Sequence, residues 1–222
     1  RLDGSGGSAE TQGYGYIFTP GLGTDTVIGH ASLFDTGEGG DLGYWDVSGV
    51  GGLTFQIGAN GTGTVVSGTP GLVSDNFTYI NWFTGSQDAD VFNGSAGDEG
   101  FQGRRGADVI HGNGGYDQIG YDGDHWDGAS HGIVADVAAG TVIDGFGFTD
   151  RFTGIERIRG SIFDDVMSAE GAGQSILFRG DDGNDWLAGS ANNDVLRGEN
   201  GDDILLGDGF EASYAPEEAG AV

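Results

Sequence analysis

Between Gly180 and Gly207 a large aliphatic residue recurs every nine positions, at Leu187, Leu196 and Leu205. Each lies two residues after an Asp (Asp185, Asp194, Asp203) and seven after a Gly (Gly180, Gly189, Gly198). A 3.6-residue helical stripe cannot produce this spacing, and neither can one long alternating strand. A tight turn followed by a three-residue strand does, with the eighth position of each unit pointing into a core and its neighbours outward. The same period runs through Gly85, Gly94, Gly103 and Gly112, with Asp90, Glu99, Asp108 and Asp117 in sixth place and Phe92, Phe101, Ile110 and Ile119 in eighth. Another unit starts at Gly160, with Asp165 and Met167. A degenerate one spans PGLGTDTVI, with Gly23, Asp25 and Val27.

A longer repeat is laid over the short one. DNFTYI (Asp75 to Ile80) matches DRFTGI (Asp150 to Ile155) at a separation of 75 residues, as GSQDADVF (Gly85 to Phe92) matches GSIFDDVM (Gly160 to Met167). LTFQI parallels IVADV, and GTVVSG parallels GTVIDG. The chain therefore reads as one module made twice, each copy a β-rich insert followed by a row of nonapeptides. The segments are 1–84 (degenerate repeat and first insert), 85–120 (first row), 121–159 (second insert), 160–209 (second row) and a tail, 210–222. The predicted class is all-β, a parallel β-roll or β-solenoid with two inserts. Helix is expected only in the tail, where Pro and Glu follow Ser213. Two stretches fit poorly. In GEGGD (Gly37 to Asp41), Gly43 falls where an apolar residue belongs. AEGAGQSILFR spans eleven residues and has no acid in place, which predicts a bulge, a lost site, and Ile176 or Phe178 in the core.

Composition changes the picture in one respect. There are 48 glycines without a G-X-Y period and only three prolines, so neither collagen nor a proline-rich linker is indicated. Against 35 acids stand 8 bases, for a net charge of -27. Such a surface repels nucleic acid and anionic membrane, and repels itself unless cations neutralise it. Because the acids recur at one repeat position, they are more than a solvated coat. No cysteine is present to form disulfides, and no apolar run reaches the length of a membrane span. Arg1 rather than Met begins the chain, which reads as a piece of a longer protein.

Glycines at the first, second and fourth positions permit positive φ and close carbonyl packing, and Asn192 and Asp88 stand in at the fourth. Turns of this kind direct carbonyl oxygens inward, and the sixth residue adds a carboxylate. Ca²⁺ takes about six to eight oxygens, which one loop cannot supply and two stacked loops can. Nothing in the pattern offers the imidazole or thiolate that zinc favours. With two nonapeptides per coil, loops 18 residues apart share an edge. The expected pairs are Asp90 with Asp108, Glu99 with Asp117, and Asp185 with Asp203. Asp194 lies on the opposite edge from the last pair. With so thin a core, metal binding and folding are expected to be one event.

The nonapeptide resembles the calcium-binding repeat of RTX proteins, whose pattern is G-G-x-G-x-D-x-U-x. The resemblance implies several Ca²⁺ ions held by Asp25, Asp90, Glu99, Asp108, Asp117, Asp165, Asp185, Asp194 and Asp203 with the loop glycines Gly85, Gly94, Gly103, Gly112, Gly180, Gly189 and Gly198. It also implies export through a bacterial type I system and folding at extracellular calcium levels, outside the cell or at its surface. No catalytic role is expected within these residues. The alternatives are an RTX domain serving an enzyme elsewhere in a longer chain, and a binding module for polysaccharide or self-assembly, with a cell-surface or self-association partner.

Three sharper motifs are set aside. GASHG (Gly128 to Gly132) has the G-x-S-x-G form around Ser130, but a strand follows it where the nucleophile elbow requires a helix. His111, His125 and His131 share no metal-ligand spacing. Asp122, Asp124 and Asp127 begin like an EF-hand loop that no Glu closes. Trp45 and Trp126 recur in the two inserts and are expected to pack in the core or at a strand edge.

Overall fold

The computed structural model describes residues 9–11, 16–30 and 39–207. Almost all regular structure in it is β: 21 strands and two short 3-10 turns. The chain divides into two compact units, Arg1–Ile119 with Asp150–Ile155, and Gly120–Thr149 with Glu156–Val222. No helix among the described residues is long and apolar enough to cross a membrane.

In the first unit, the strands Gly40–Gly43, Ile80–Thr84, Gly100–Gln102 and Gln118–Gly120 run parallel in one sheet, with Tyr16–Phe18 on the far side of Gly40–Gly43. The other sheet runs parallel from Thr149–Thr153 through Val109–His111 and Val91–Asn93 to Leu53–Gly58. It continues with the first insert, whose Thr62–Ser67 pairs antiparallel with both Leu53–Gly58 and Ser74–Thr78. Register follows the nonapeptide: Phe101 lies opposite Phe83 and Ile119, and Ile110 opposite Phe92 and Phe152. These side chains are 5% exposed or less because alternation along each strand turns them to the inside of the roll. Phe92 meets Phe101 edge-on at 5.6 Å between ring centres, and Phe55 stacks on Phe92 at 4.4 Å. Gly43 is accounted for by Leu42, which takes the core position beside it. Of GEGGD, Gly37 and Glu38 lie outside the described residues.

The second unit repeats the plan. Arg157–Arg159, Leu177–Asp182 and Val195–Asn200 pair in parallel, as do Val134–Asp136, Val166–Ser168, Trp186–Ala188 and Ile204–Leu206. Thr141–Ile143 joins antiparallel to Val134–Asp136, the counterpart of the first insert's hairpin. The eleven-residue stretch makes no β-bulge. Phe178 pairs in register with Ile158 and Leu196, and the surplus is taken up in the turn before it, where the Ala172 amide donates to Ala169 O at 2.9 Å. Both Ile176 and Phe178 are buried. Ile176 occupies the place of the missing acid. The tail lies outside the described residues.

Candidate calcium sites

The sixth-position acids form ladders along the edges of each roll. In most rungs a carboxylate Oδ1 accepts the backbone N–H of the equivalent residue in the preceding coil. In the first unit Asp90 takes the Leu53 amide at 2.6 Å, Asp108 takes that of Asp90 at 2.7 Å, and Asp150 takes that of Asp108 at 2.9 Å. Asp117 takes the Glu99 amide at 2.8 Å and Asp75 that of Asp25 at 2.7 Å. In the second unit the series is Ile133 to Asp165 (2.7 Å), Asp165 to Asp185 (2.9 Å) and Asp185 to Asp203 (2.9 Å), with Ile176 to Asp194 (2.8 Å) on the other edge. The structure thus brings Asp90 to Asp108, Glu99 to Asp117 and Asp185 to Asp203. It adds Asp165 to the last series, and it gives Asp194 an apolar neighbour in Ile176.

Asp75 and Asp150 are rungs that the nonapeptide pattern did not single out. Both are buried, and each precedes an inward phenylalanine by two residues, Phe77 and Phe152. That D-x-F spacing was the available signal. The Tyr44 hydroxyl donates to Asp75 Oδ2 at 2.5 Å, so this rung is closed by a side chain of the core. Burial raises the Asp75 carboxyl above its ordinary value, and it raises the Tyr44 phenol well above its own, with the charge of Asp75 adding to the latter.

The loops fall into two kinds, decided at the second position. Where it is serine, the turn caps its own acid. Ser86 donates its N–H and its hydroxyl to Asp90 at 2.6 and 2.8 Å, and Ser161 treats Asp165 likewise at 2.7 and 2.8 Å. Ser190 does the same for Asp194 (2.5 and 2.9 Å), and Ser95 for Glu99. Where the second position is Arg104, Asn113, Asp181 or Glu199, that residue is left-handed, with φ of 71 to 78°. The fourth is then a glycine at φ of 120 to 143° (Gly106, Gly115, Gly183, Gly201). The Ser-type loops lack both features, and Asp88 and Asn192 in them do not adopt positive φ. First-position glycines do not adopt it either. They are glycine for want of space: a Cβ on Gly85, Gly103, Gly160, Gly180 or Gly198 would run into Oδ2 of the acid five residues on.

In the open loops, Asp185 is poorly satisfied by the protein. Asp185 is 1% exposed, its Oδ1 is bound to the Asp165 amide, and its Oδ2 has no hydrogen-bond partner among the described residues. The same Oδ2 and the Gly198 carbonyl crowd the space a Gly180 Cβ would need. Burial, with the charges of Asp165 and Asp203 adding to it, raises the Asp185 carboxyl to about 7. Burial likewise raises Asp90 to about 7 and Asp165 to about 6, against the pull of their serine hydrogen bonds. Glu99 is raised for the same reason. A buried carboxylate with an unsatisfied oxygen, beside a backbone carbonyl, is the donor set a hard cation fits. Among the described residues no three His, Cys, Asp or Glu side chains form a ready-made metal cluster, so carbonyls must complete any coordination shell.

The remaining candidates are placed apart. The Ser130 hydroxyl bonds the neighbouring His131 Nδ1 at 3.0 Å, and the His111 ring bonds Thr153 Oγ1 at 2.9 Å. Asp124 and Asp127 belong to a 3-10 turn. Trp126, on that turn, is 80% exposed, contrary to the packing role expected of it: the turn lifts it off the sheet. Trp45 does pack, over Gly43, where a Cβ would meet its ring.

The fold is a parallel β-roll whose turns carry the acids. The model of the RTX calcium-binding nonapeptide repeat matches residues 77–100, 84–119 and 179–211. The chain carries RTX calcium-binding nonapeptide repeats in both units. No curated protein matches it.

Proposed function

We propose that the chain is a calcium-dependent structural roll of a secreted bacterial protein, folding when it meets extracellular calcium. Its ions are held by the open loops, foremost between the loops at Gly180 and Gly198 through Asp185 and Asp203 with loop carbonyls. The observation that carries this reading is the buried, unpartnered Oδ2 of Asp185. The charges that act on it, those of Asp165, Asp203 and Asp164, are all negative, in a chain of net charge -27. An ion there would supply the charge compensation that hydrogen bonds supply in the Ser-type loops. The role is one of scaffold and export rather than catalysis, and any enzymatic activity belongs to other parts of a longer chain. Circular dichroism during calcium titration of the chelated protein tests the reading. Strand signal should build with calcium, and a spectrum that is already complete in excess chelator would refute it.

A further inference from the structure

The second unit contains a cleft of about 310 Å³, walled by the 3-10 turn Asp124–Asp127 and by the edge where Arg159, Arg179, Asp181 and Glu199 converge. That volume falls at the lower end of small-molecule sites, about 300–1,000 Å³. Trp126 stands at it 80% exposed, the most exposed large apolar side chain among the described residues. It is not loose. The His125 ring packs on it at 4.3 Å between centres, and His125 Nδ1 is held to the Asp122 carbonyl at 2.8 Å.

The polar wall is equally fixed. Arg159 pairs with Asp122 at 2.8 Å and with Asp181 at 2.5 Å, and Arg179 pairs with Asp181 at 2.6 Å and with Glu199 at 3.3 Å. Asp182 Oδ1 accepts Asn200 Nδ2 at 2.8 Å. These contacts use part of each guanidinium's five donors and part of each carboxylate's acceptor capacity, so both kinds of group remain available along one wall. An anion would face Asp122, Asp181, Asp182 and Glu199, and a cation would face two guanidinium groups. A neutral polyol suits both, accepting from Arg and donating to Asp or Glu, while its C–H face lies on the indole.

We infer that this cleft is a binding site for a neutral saccharide, with Trp126 as the stacking platform and Arg179, Asp182 and Glu199 as hydroxyl partners. None of its groups is a sixth-position acid, but Asp181, Asp182 and Glu199 lie in the loops that open at Gly180 and Gly198, so the cleft rests on those loops being held in their calcium-bound form. It is tested by calorimetry on the full chain in calcium-saturated buffer, with cellohexaose, maltohexaose and laminarihexaose as probes and oligoguluronate and choline as charged comparators. At least one neutral probe should bind. Trp126→Ala should weaken it at least about tenfold while the melting temperature is unchanged, and Trp126→Phe should hold it within about threefold. Should Trp126→Ala fail to fold, Asp182→Ala, at an exposed position, gives the same reading through a lost hydroxyl partner. The inference falls if no neutral probe binds, if a charged comparator binds more tightly, or if the folded variants bind as the parent does.

Discussion

The backbone amide of Asp165 donates to Asp185 Oδ1 at 2.9 Å although twenty residues separate them. Elsewhere in the rows the corresponding bond spans eighteen, as between Asp90 and Asp108. The two additional residues are absorbed in the turn ahead of Ile176, so the ladder keeps its register through an irregular coil. Position in the stack, rather than count along the chain, decides which acids meet.

Asp185→Asn should separate the two roles of that side chain. It retains the acceptor for the Asp165 amide and removes the buried charge. We expect the chelated form to gain about 1–3 kcal/mol, since the cost of burying an uncompensated carboxylate charge is relieved. The calcium-loaded form should lose stability and bind at least one ion fewer. Paired thermal melts with and without calcium, with the ion count from calorimetry, check both signs.

Acid should partly replace calcium. Burial holds Asp90 and Asp185 protonated to about pH 7 and Asp165 to about pH 6, whereas in the unfolded chain they ionise near 4. Between pH 4 and 7 the folded state therefore binds more protons than the unfolded one, and the stability present below pH 4 is lost as pH rises. Urea melts of the calcium-free protein should show a falling midpoint across that window. Calcium affinity should move the opposite way, rising with pH as the carboxylates deprotonate.

Ser86→Ala removes one of the hydrogen bonds that close the first Ser-type loop onto Asp90. A loss of about 1 kcal/mol is expected, with calcium stoichiometry unchanged because that loop is satisfied by its own serine. A lower ion count in this variant would show that the Ser-type loops also hold metal.

Gly180→Ala should be far more damaging than its chemistry suggests. The new methyl meets Asp185 Oδ2 and, at 2.7 Å, the Gly198 carbonyl, which is backbone and cannot step aside. Loss of more than about 2 kcal/mol and of the local ion is expected. Gly173→Ala is the control: nothing lies within 4 Å of its added Cβ, so a neutral effect or a gain of about 0.4–1 kcal/mol should appear in the same melts.

Period nine determined the architecture from the sequence alone, because a three-residue strand between tight turns admits only one inward residue. Phe92, Phe101, Ile110, Ile119, Leu187 and Leu196 are fully buried for that reason. The sixth-position acids were legible by the same periodicity. Asp75 and Asp150 were not, since in the inserts the turn before each acid departs from the repeat while the D-x-F strand survives. The difference between the loops also escaped the pattern. Ser and Arg at a second position look alike to a periodicity, but Ser86 caps its own carboxylate from the turn and Arg104 takes a left-handed backbone instead. Which acids are already satisfied, and which keep a buried oxygen for a cation, depends on hydrogen bonds made inside a turn and between coils. Only the stacked structure decides that, as it alone decides that Trp126 stands out in solvent.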